Sequence, residues 1–430
     1  MRIAVWHNLP SGGGKRALYD HVCGLVERGH EVEAWCPPSA DAYYLPLREV
    51  IREHVIPLDI PSNSEVKPAV LRALHLLRWN AWVKLRAMQQ HSKECARHIK
   101  DGKFDLLFAA GCIFYHTPLI GRFVDIPSVL YLQEPNRSLY EAQPELPWSA
   151  LSWSGELLNV RFWRRALGHH VCAARARILA REERTSAIAF DQILVNSLFS
   201  RESVLRAFGI NSKVCYLGVD TEKFVNLNRK RESFVVFVGS LTPSKNVEFL
   251  IKSLAKVPLS VRPKLMLIAN TIVPRCLHEI QLLAGRGGVV LELKHRITDA
   301  EIVDILNRAR IMLYAPRLEP FGYAPLEANA CGLPVVAVGE GGVRETVQDG
   351  VNGLLVEYEP ESMAAAIQRL MRDDDLHCRL SKQAENVART QWSLLPSIDR
   401  LERNLRTQLL ERDSGLKQDD LWVDRVVARG

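Results

Sequence analysis

No stretch of this 430-residue chain approaches the roughly 20 successive apolar residues that a membrane-spanning helix needs. The opening MRIAVWHNLP has too short an apolar run for a secretory leader, no small-residue cleavage site follows it, and it reads as a strand. Cysteine pairs are also missing: the nine cysteines stand singly from Cys23 to Cys378, with no C-x-x-C. That scatter argues against a disulfide frame or a zinc knuckle and for reduced thiols in the cytosol. A large excess of charge of one sign is lacking too. A net +7 on 430 residues permits an anionic ligand or an acidic membrane surface without requiring either, and no nucleic-acid partner is expected.

With 47% hydrophobic and 24% charged residues, the composition is that of a soluble globular protein, and the length favours two or three domains. Short β runs alternate with helical patterns in two successive sets. The first holds RIAVW (2–6), a helix over 17–30, EVEAWCP (31–37), DLLFAA (105–110), SVLYLQ (128–133) and QILVNS (192–197). The second holds SFVVFVGSL (233–241), KLMLIAN (264–270), VVLELK (289–294), IMLYAP (311–316) and PVVAVG (334–339). This order predicts an α/β protein with two parallel sheets, each covered on both faces. The expected division is an N-terminal domain over 1–225 and a second domain over 226–395, with NLNRKRES (226–233) as linker. A helix is expected over 396–413, striped by Ile398, Leu401, Leu405 and Leu409, and 414–430 reads as a tail.

Two loops carry candidate chemistry. Gly12-Gly13-Gly14-Lys15-Arg16-Ala17 fits G-x-G-x-x-A, but the second strand ends at Cys36-Pro37 without the acid that would hold a nicotinamide ribose. The loop therefore reads either as a plain turn or as a backbone, at Gly13 and Gly14, that comes close to a phosphate or sugar. In the second set, EPFGYAPLE (319–327) sets two carboxylates eight positions apart around the start of a helix. The open amides of Gly322, Tyr323 and Ala324 favour an anion there. A diphosphate at that point has a sugar on one side, within reach of Glu319, and a ribose on the other, for Glu327. The plain alternative is a solvated Glu319 and a Glu327 that merely supports the helix electrostatically.

The segment E-P-F-G-x-x-x-L-E-A, followed by A-C-G-L-P-V-V-A and G-G-V-R-E-T-V-Q-D-G-V-N-G-L-L-V, resembles the E-x7-E region of the retaining family-four glycosyltransferases. S-G-G-G near the start, V-N-S-L-F-S-R (195–201), Y-L-G-V-D-T-E-K-F (216–224) and V-G-S-L-T-P-S-K-N (238–246) extend the resemblance over most of the chain. It implies the GT-B fold: two Rossmann-like, doubly wound domains facing across a cleft, an acceptor-binding one over 1–225 and a nucleotide-sugar-binding one over 226–395, with the helix over 396–413 returning to the first and closure hinged near Gly218-Val219-Asp220 and before the last helix. It also implies that Glu319 contacts the donor sugar, Glu327 the ribose and Lys245 the diphosphate, with Gly13, Gly14, Ser240, Arg317, Phe321, Gly322, Tyr323 and Ala324 completing the donor site. No metal and no cofactor beyond the nucleoside diphosphate sugar itself are expected.

Two positions depart from the family. Ser240 stands where an arginine usually grips the diphosphate, and Arg317 is the candidate substitute cation. Gln133-Glu134-Pro135 replaces a histidine at the end of its strand, with Glu134 as candidate partner of the acceptor or the sugar; His116 is a further cleft candidate, though a lone histidine is more often structural. Asp373-Asp374-Asp375 lies between helical patterns and reads as a helix cap, not as a metal motif.

The reading is a retaining transfer of a hexosyl group, mannosyl or similar, to a saccharide or lipid-linked saccharide. The rivals are a phosphorylase on the same fold, a catalytically weakened sugar-nucleotide-binding partner subunit and, remotely, a nicotinamide oxidoreductase. The expected location is cytoplasmic. Two basic helical stripes, Val70, Leu74, Leu77, Ala81, Leu85, Met88 and Val160, Trp163, Leu167, Val171, Ala174, Ile178, either face a core or lie peripherally on an anionic membrane, with Trp148 and Trp153 nearby.

Overall fold

The computed structural model describes residues 1–60, 69–141, 146, 148–149 and 160–413, and the backbone alone at 69–81, 160, 161, 164, 165, 412 and 413. Two compact units divide the chain. One holds Met1–Val195, Ser200–Cys215 and the chain from Leu401; the other holds Asn196–Phe199 and Tyr216–Arg400. The division thus falls after Cys215, ahead of the expected boundary at 225.

The first unit is built on seven strands: β1 (Arg2–Asn8), β2 (Glu31–Cys36), β3 (Arg52–Val55), β4 (Leu106–Cys112), β5 (Ser128–Tyr131), β6 (Gln192–Val195) and β7 (Lys213–Val214). They pair in parallel in the order β3-β2-β1-β4-β5-β6-β7. The second unit has six: β8 (Phe234–Val238), β9 (Lys264–Ala269), β10 (Leu291–His295), β11 (Ile311–Tyr314), β12 (Val335–Val338) and β13 (Gly353–Val356), in the order β10-β9-β8-β11-β12-β13. Runs such as Ile3-Ala4-Val5-Trp6 and Val235-Val236-Phe237 are fully buried, which fits strands covered on both faces. The parallel sheets expected from the alternation are there. The sequence pattern overran most strand ends by one to three residues and passed over β3, β7 and β13. Those three sit on or next to sheet edges and are short, so no sustained apolar run marks them.

Helices α1 (Gly13–Glu27), α2 (Ala69–Asp101), α3 (Arg137–Tyr140), α4 (Val160–Ile188) and α5 (Leu198–Phe208) accompany the first sheet. The second has α6 (Val247–Lys256), α7 (Pro274–Gly287), α8 (Asp299–Arg308), α9 (Tyr323–Ala330), α10 (Val343–Thr346), α11 (Pro360–Arg372) and α12 (Asp374–Gln391). Asp373 caps α12 by accepting from the Leu376 amide at 2.8 Å, as its position between two helices suggested. The last helix, α13 (Leu394–Asp413), buries Ile398, Leu401 and Leu405. From Leu401 it counts with the first unit, where Glu402 takes Arg28 at 2.7 Å and His30 at 3.1 Å. The expected linker is not loose: Arg231 is largely buried and donates to the carbonyls of Leu306, Ala309, Cys331 and Gly332.

Each sheet has one topological switch point, where successive strands begin to add on the opposite side. In the first sheet it lies between β1 and β4, in the second between β8 and β11. Doubly wound sheets take ligands at the carboxyl ends of such strands.

Candidate functional site

At the second switch point, the loop after β8 meets the loop after β11. The Arg317 amide donates to the Ser244 carbonyl at 3.3 Å, and Asn246 Nδ2 to the Ala315 carbonyl at 3.1 Å. Between these contacts Lys245 Nζ holds both oxygens of Glu319 at 2.8 Å. Lysine and glutamate side chains here are 25% and 13% exposed, so the pair is largely withdrawn from water yet reachable. The residues beside it, Asn246 (φ 55°) and Leu318 (φ 47°), both sit in the left-handed region. For Leu318 that conformation stores strain, of the kind that concentrates at functional sites.

The turn Pro320-Phe321-Gly322 is clamped from outside. Gly342 donates to the Glu319 carbonyl at 2.7 Å, Ser197 Oγ to that of Pro320 at 2.5 Å and Thr346 Oγ1 to that of Phe321 at 3.3 Å. A Cβ on Gly341 would stand 2.4 Å from the Glu319 carbonyl oxygen, and one on Gly342 2.1 Å from that of Pro320. The glycine pair of E-G-G-V is therefore the only residue type that lets the two backbones meet. Gly322, at φ 91°, precedes α9 as its N-cap with no side chain capping it, so the helix opens with the amides of its first turn. Phe321 is buried and meets Trp392 edge-on at 5.6 Å, Tyr323 Oη donates to the Gly218 carbonyl at 2.6 Å, and Ala324 is half-buried.

Glu327 lies in the second turn of α9 and is 7% exposed. Its carboxylate and that of Glu319 both act on buried Tyr314 at the end of β11: burial first, then these two charges, push the phenol well above its ordinary value. Ser240 Oγ lies 3.4 Å from Thr242 Oγ1, in a hydroxyl chain that continues to Ser244 at 3.2 Å. Arg317 is partly exposed, pairs with Glu340 at 2.8 Å and lies 4.0 Å over the Tyr358 ring, so its charge is already matched. The segments expected to hinge meet as well: Val219 pairs with Ser393, and a Cβ on Gly218 would stand 2.5 Å from the Ser393 carbonyl oxygen.

At the first switch point, α1 begins at Gly13, four residues earlier than the sequence pattern suggested, because Gly12 (φ 144°) makes the turn alone. Gly13 and Gly14 are its first residues, and a Cβ on Gly14 would stand 3.1 Å from Gln133 Oε1. The Gln133 side chain therefore lies on the glycine loop, and Glu134 beside it is 3.7 Å from Arg137. Beneath the loop Lys15 is fully buried. Nearby, His7 Nε2, Cys36 Sγ and a Glu53 oxygen, from the ends of β1, β2 and β3, lie within 4.8 Å of one another. Burial lowers Lys15 and raises the Cys36 thiol to about 12. Burial also raises Glu53, but the bond from His7 at 3.1 Å and the neighbouring Lys15 outweigh it, so the carboxylate forms more readily than usual. A buried ammonium already answers that carboxylate, which disfavours a metal cation in the same place. Sequence reasoning missed this group; one basic residue behind three glycines was its only signal.

The family of glycosyl transferases group 1 matches residues 219–387, the span that contains Lys245, Glu319 and Glu327. Residues 219–387 thus resemble the group 1 glycosyltransferases. The chain is 28% identical over 300 residues to an alpha-maltose-1-phosphate synthase of Mycolicibacterium smegmatis, covering 62% of this chain and 71% of that one. It is 31% identical over 169 residues to a D-inositol 3-phosphate glycosyltransferase of Stackebrandtia nassauensis, covering 36% and 38%, so it spans little more than a third of that relative. Among solved structures it resembles sucrose-phosphate synthase from Thermosynechococcus elongatus (TM-score 0.71, 15% identity, 95% of this chain and 100% of that one). It also resembles Anabaena Alr3699/HepE in complex with UDP-glucose (TM-score 0.68, 17% identity, 95% and 100%). The fold is GT-B.

Proposed function

We propose that the chain is a retaining glycosyltransferase that moves a hexosyl group from a nucleoside diphosphate sugar to a saccharide or lipid-linked saccharide. The observation that carries this reading is the Lys245–Glu319 pair beside the uncapped amino end of α9, with Glu327 buried in the second turn of that helix. The diphosphate docks on the α9 amides and takes Lys245 from Glu319. A phosphate replaces the carboxylate as partner of the ammonium, and Glu319 is released toward the hexosyl hydroxyls. Glu327 accepts from the ribose hydroxyls. The relatives named for maltose 1-phosphate and inositol phosphate, and a fold neighbour solved with UDP-glucose, support a sugar-nucleotide donor.

In the transfer, the bond from C1 to the diphosphate oxygen breaks and a bond from C1 to the acceptor oxygen forms on the same face. The acceptor proton passes to the departing diphosphate. Charge builds up on that leaving group, and Lys245 with the helix amides stabilises it without reorganising. A thermal-shift series with UDP, GDP and ADP against the free nucleosides tests the donor reading. One diphosphate raising Tm while its nucleoside does not is the expected result, and equal shifts from both would end it.

A peripheral membrane location has its own support. Trp163 and Leu167 on α4 and Trp82 on α2 are 58%, 54% and 47% exposed, with Arg181 5.5 Å over the Trp82 ring. Leu85 and Met88, at the described end of the first stripe, face the core instead. The side chains of Val70, Leu74, Leu77, Ala81 and Val160 lie outside the described residues, as does Trp153. Among the described residues no helix is long and apolar enough to cross a membrane. Flotation with anionic vesicles at low salt, lost at high salt, is the expected behaviour.

A further inference from the structure

His116 follows β4 at the first switch point, and it is not solitary. Helix α4 carries Glu183 against it: the His116 amide donates to Glu183 Oε1 at 3.1 Å, and the imidazole Nδ1 stands 3.8 Å from the same oxygen. Asn136, beyond β5, brings its Nδ2 to that oxygen at 3.4 Å. The carboxylate is fully buried, whereas the imidazole side chain is 35% exposed although its Nδ1 is covered. Glu183 Oε2 and His116 Nδ1 are both buried without a hydrogen-bond partner among the described residues. Unpaired buried polar atoms are costly and call for an explanation.

We propose that His116 and Glu183 form a subsite for a hydroxyl of the saccharide acceptor, with Glu183 fixing the imidazole through Nδ1 and the exposed ring edge taking the hydroxyl. This rests on the reading of the first unit as the acceptor-binding part. Three features carry it. The ring sits at the carboxyl end of β4, where the strand order reverses and ligands bind. A small rotation brings Nδ1 into hydrogen-bond range of Glu183, and such contacts often tighten only when the ligand is present. Burial keeps the imidazole neutral and lifts Glu183 to about 7, so the acid can hold a proton facing Nδ1 while Nε2 donates, or accept one while Nε2 receives. Glu183 is a positioning residue in this scheme, and His116 touches the ligand.

The test uses the full chain with isotope-labelled histidine, and methyl α-mannopyranoside, methyl α-glucopyranoside and maltose as probes. The His116 signals are assigned with His116→Gln. The expected result is that one probe saturates, shifts the His116 ring signals, and binds about tenfold more weakly to Glu183→Gln, which also moves the His116 titration. A probe that shows saturation transfer but leaves His116 unmoved, or binds Glu183→Gln as tightly as the wild type, overturns the subsite and leaves the acceptor reading standing. Absence of saturation transfer from every probe overturns both. Should Glu183→Gln fail to fold, the wild-type His116 shifts and the affinity of His116→Gln decide alone.

Discussion

The two switch points solve the same geometric problem with opposite economy. In the second sheet nearly all the chemistry lies within Arg317–Glu327, and one lysine from the β8 loop completes it. In the first sheet the corresponding polar groups come from β1, β2, β3, the β4 loop, the β5 loop and α4, up to 176 positions apart from His7 to Glu183. The first kind of site leaves a motif in the sequence. The second leaves isolated residues that acquire partners only when the sheet is assembled. A short-range site is therefore legible from one chain, and a long-range site of equal chemical content is not.

Substitutions at the two places sharpen this contrast. Lys245→Met should have the largest effect: turnover with the donor that stabilises the wild type falls about a hundredfold or more, because no other described cation takes both Glu319 oxygens. Steady-state rates check it, and Tm of the unliganded protein should barely move. At the first switch point the damage should be to stability instead. Glu53→Gln leaves Lys15 buried without the charge that attracts it, and urea unfolding should show a loss of about 3 kcal/mol.

Glu183→Gln should alter the pH dependence. Its folded pKa is raised from 4.5 to about 7, so the proton is held more tightly in the folded chain. The associated stability is present in full below 4.5 and is lost as pH rises through 7, on the order of 3 kcal/mol. His116, lowered by burial, acts in the reverse sense below 6.5, and it is present in both proteins. The variant should therefore gain on the wild type between pH 4.5 and 7 in paired unfolding curves. The smallest change is expected from Trp163→Ala with Leu167→Ala: both side chains are exposed, so stability should shift by less than about 0.5 kcal/mol while vesicle flotation is lost.

Much of the architecture was readable. Short apolar β runs and the helical patterns between them announced two parallel sheets, and α9 starts at Tyr323, directly after Gly322, within the segment where a helix start was expected. Strand pairing brings Lys245 to Glu319 across 74 positions, and only the resemblance suggested that the two belong together. The pairing of Arg317 with Glu340 was not legible, since a glutamate beyond the next strand gives no signal in a local pattern. Nor was the reason for Gly341-Gly342, which depends on a backbone approach between distant segments. His116 looked solitary because its partner stands 67 residues away, on a helix read only for its apolar stripe and its arginines.

A crystal structure of the chain with bound UDP tests the central claim most directly. The account predicts the diphosphate on the amides of Gly322, Tyr323 and Ala324, with Lys245 moved from Glu319 to a phosphate oxygen and Glu327 on the ribose. A diphosphate bound elsewhere, with the Lys245–Glu319 pair intact at 2.8 Å, would contradict it.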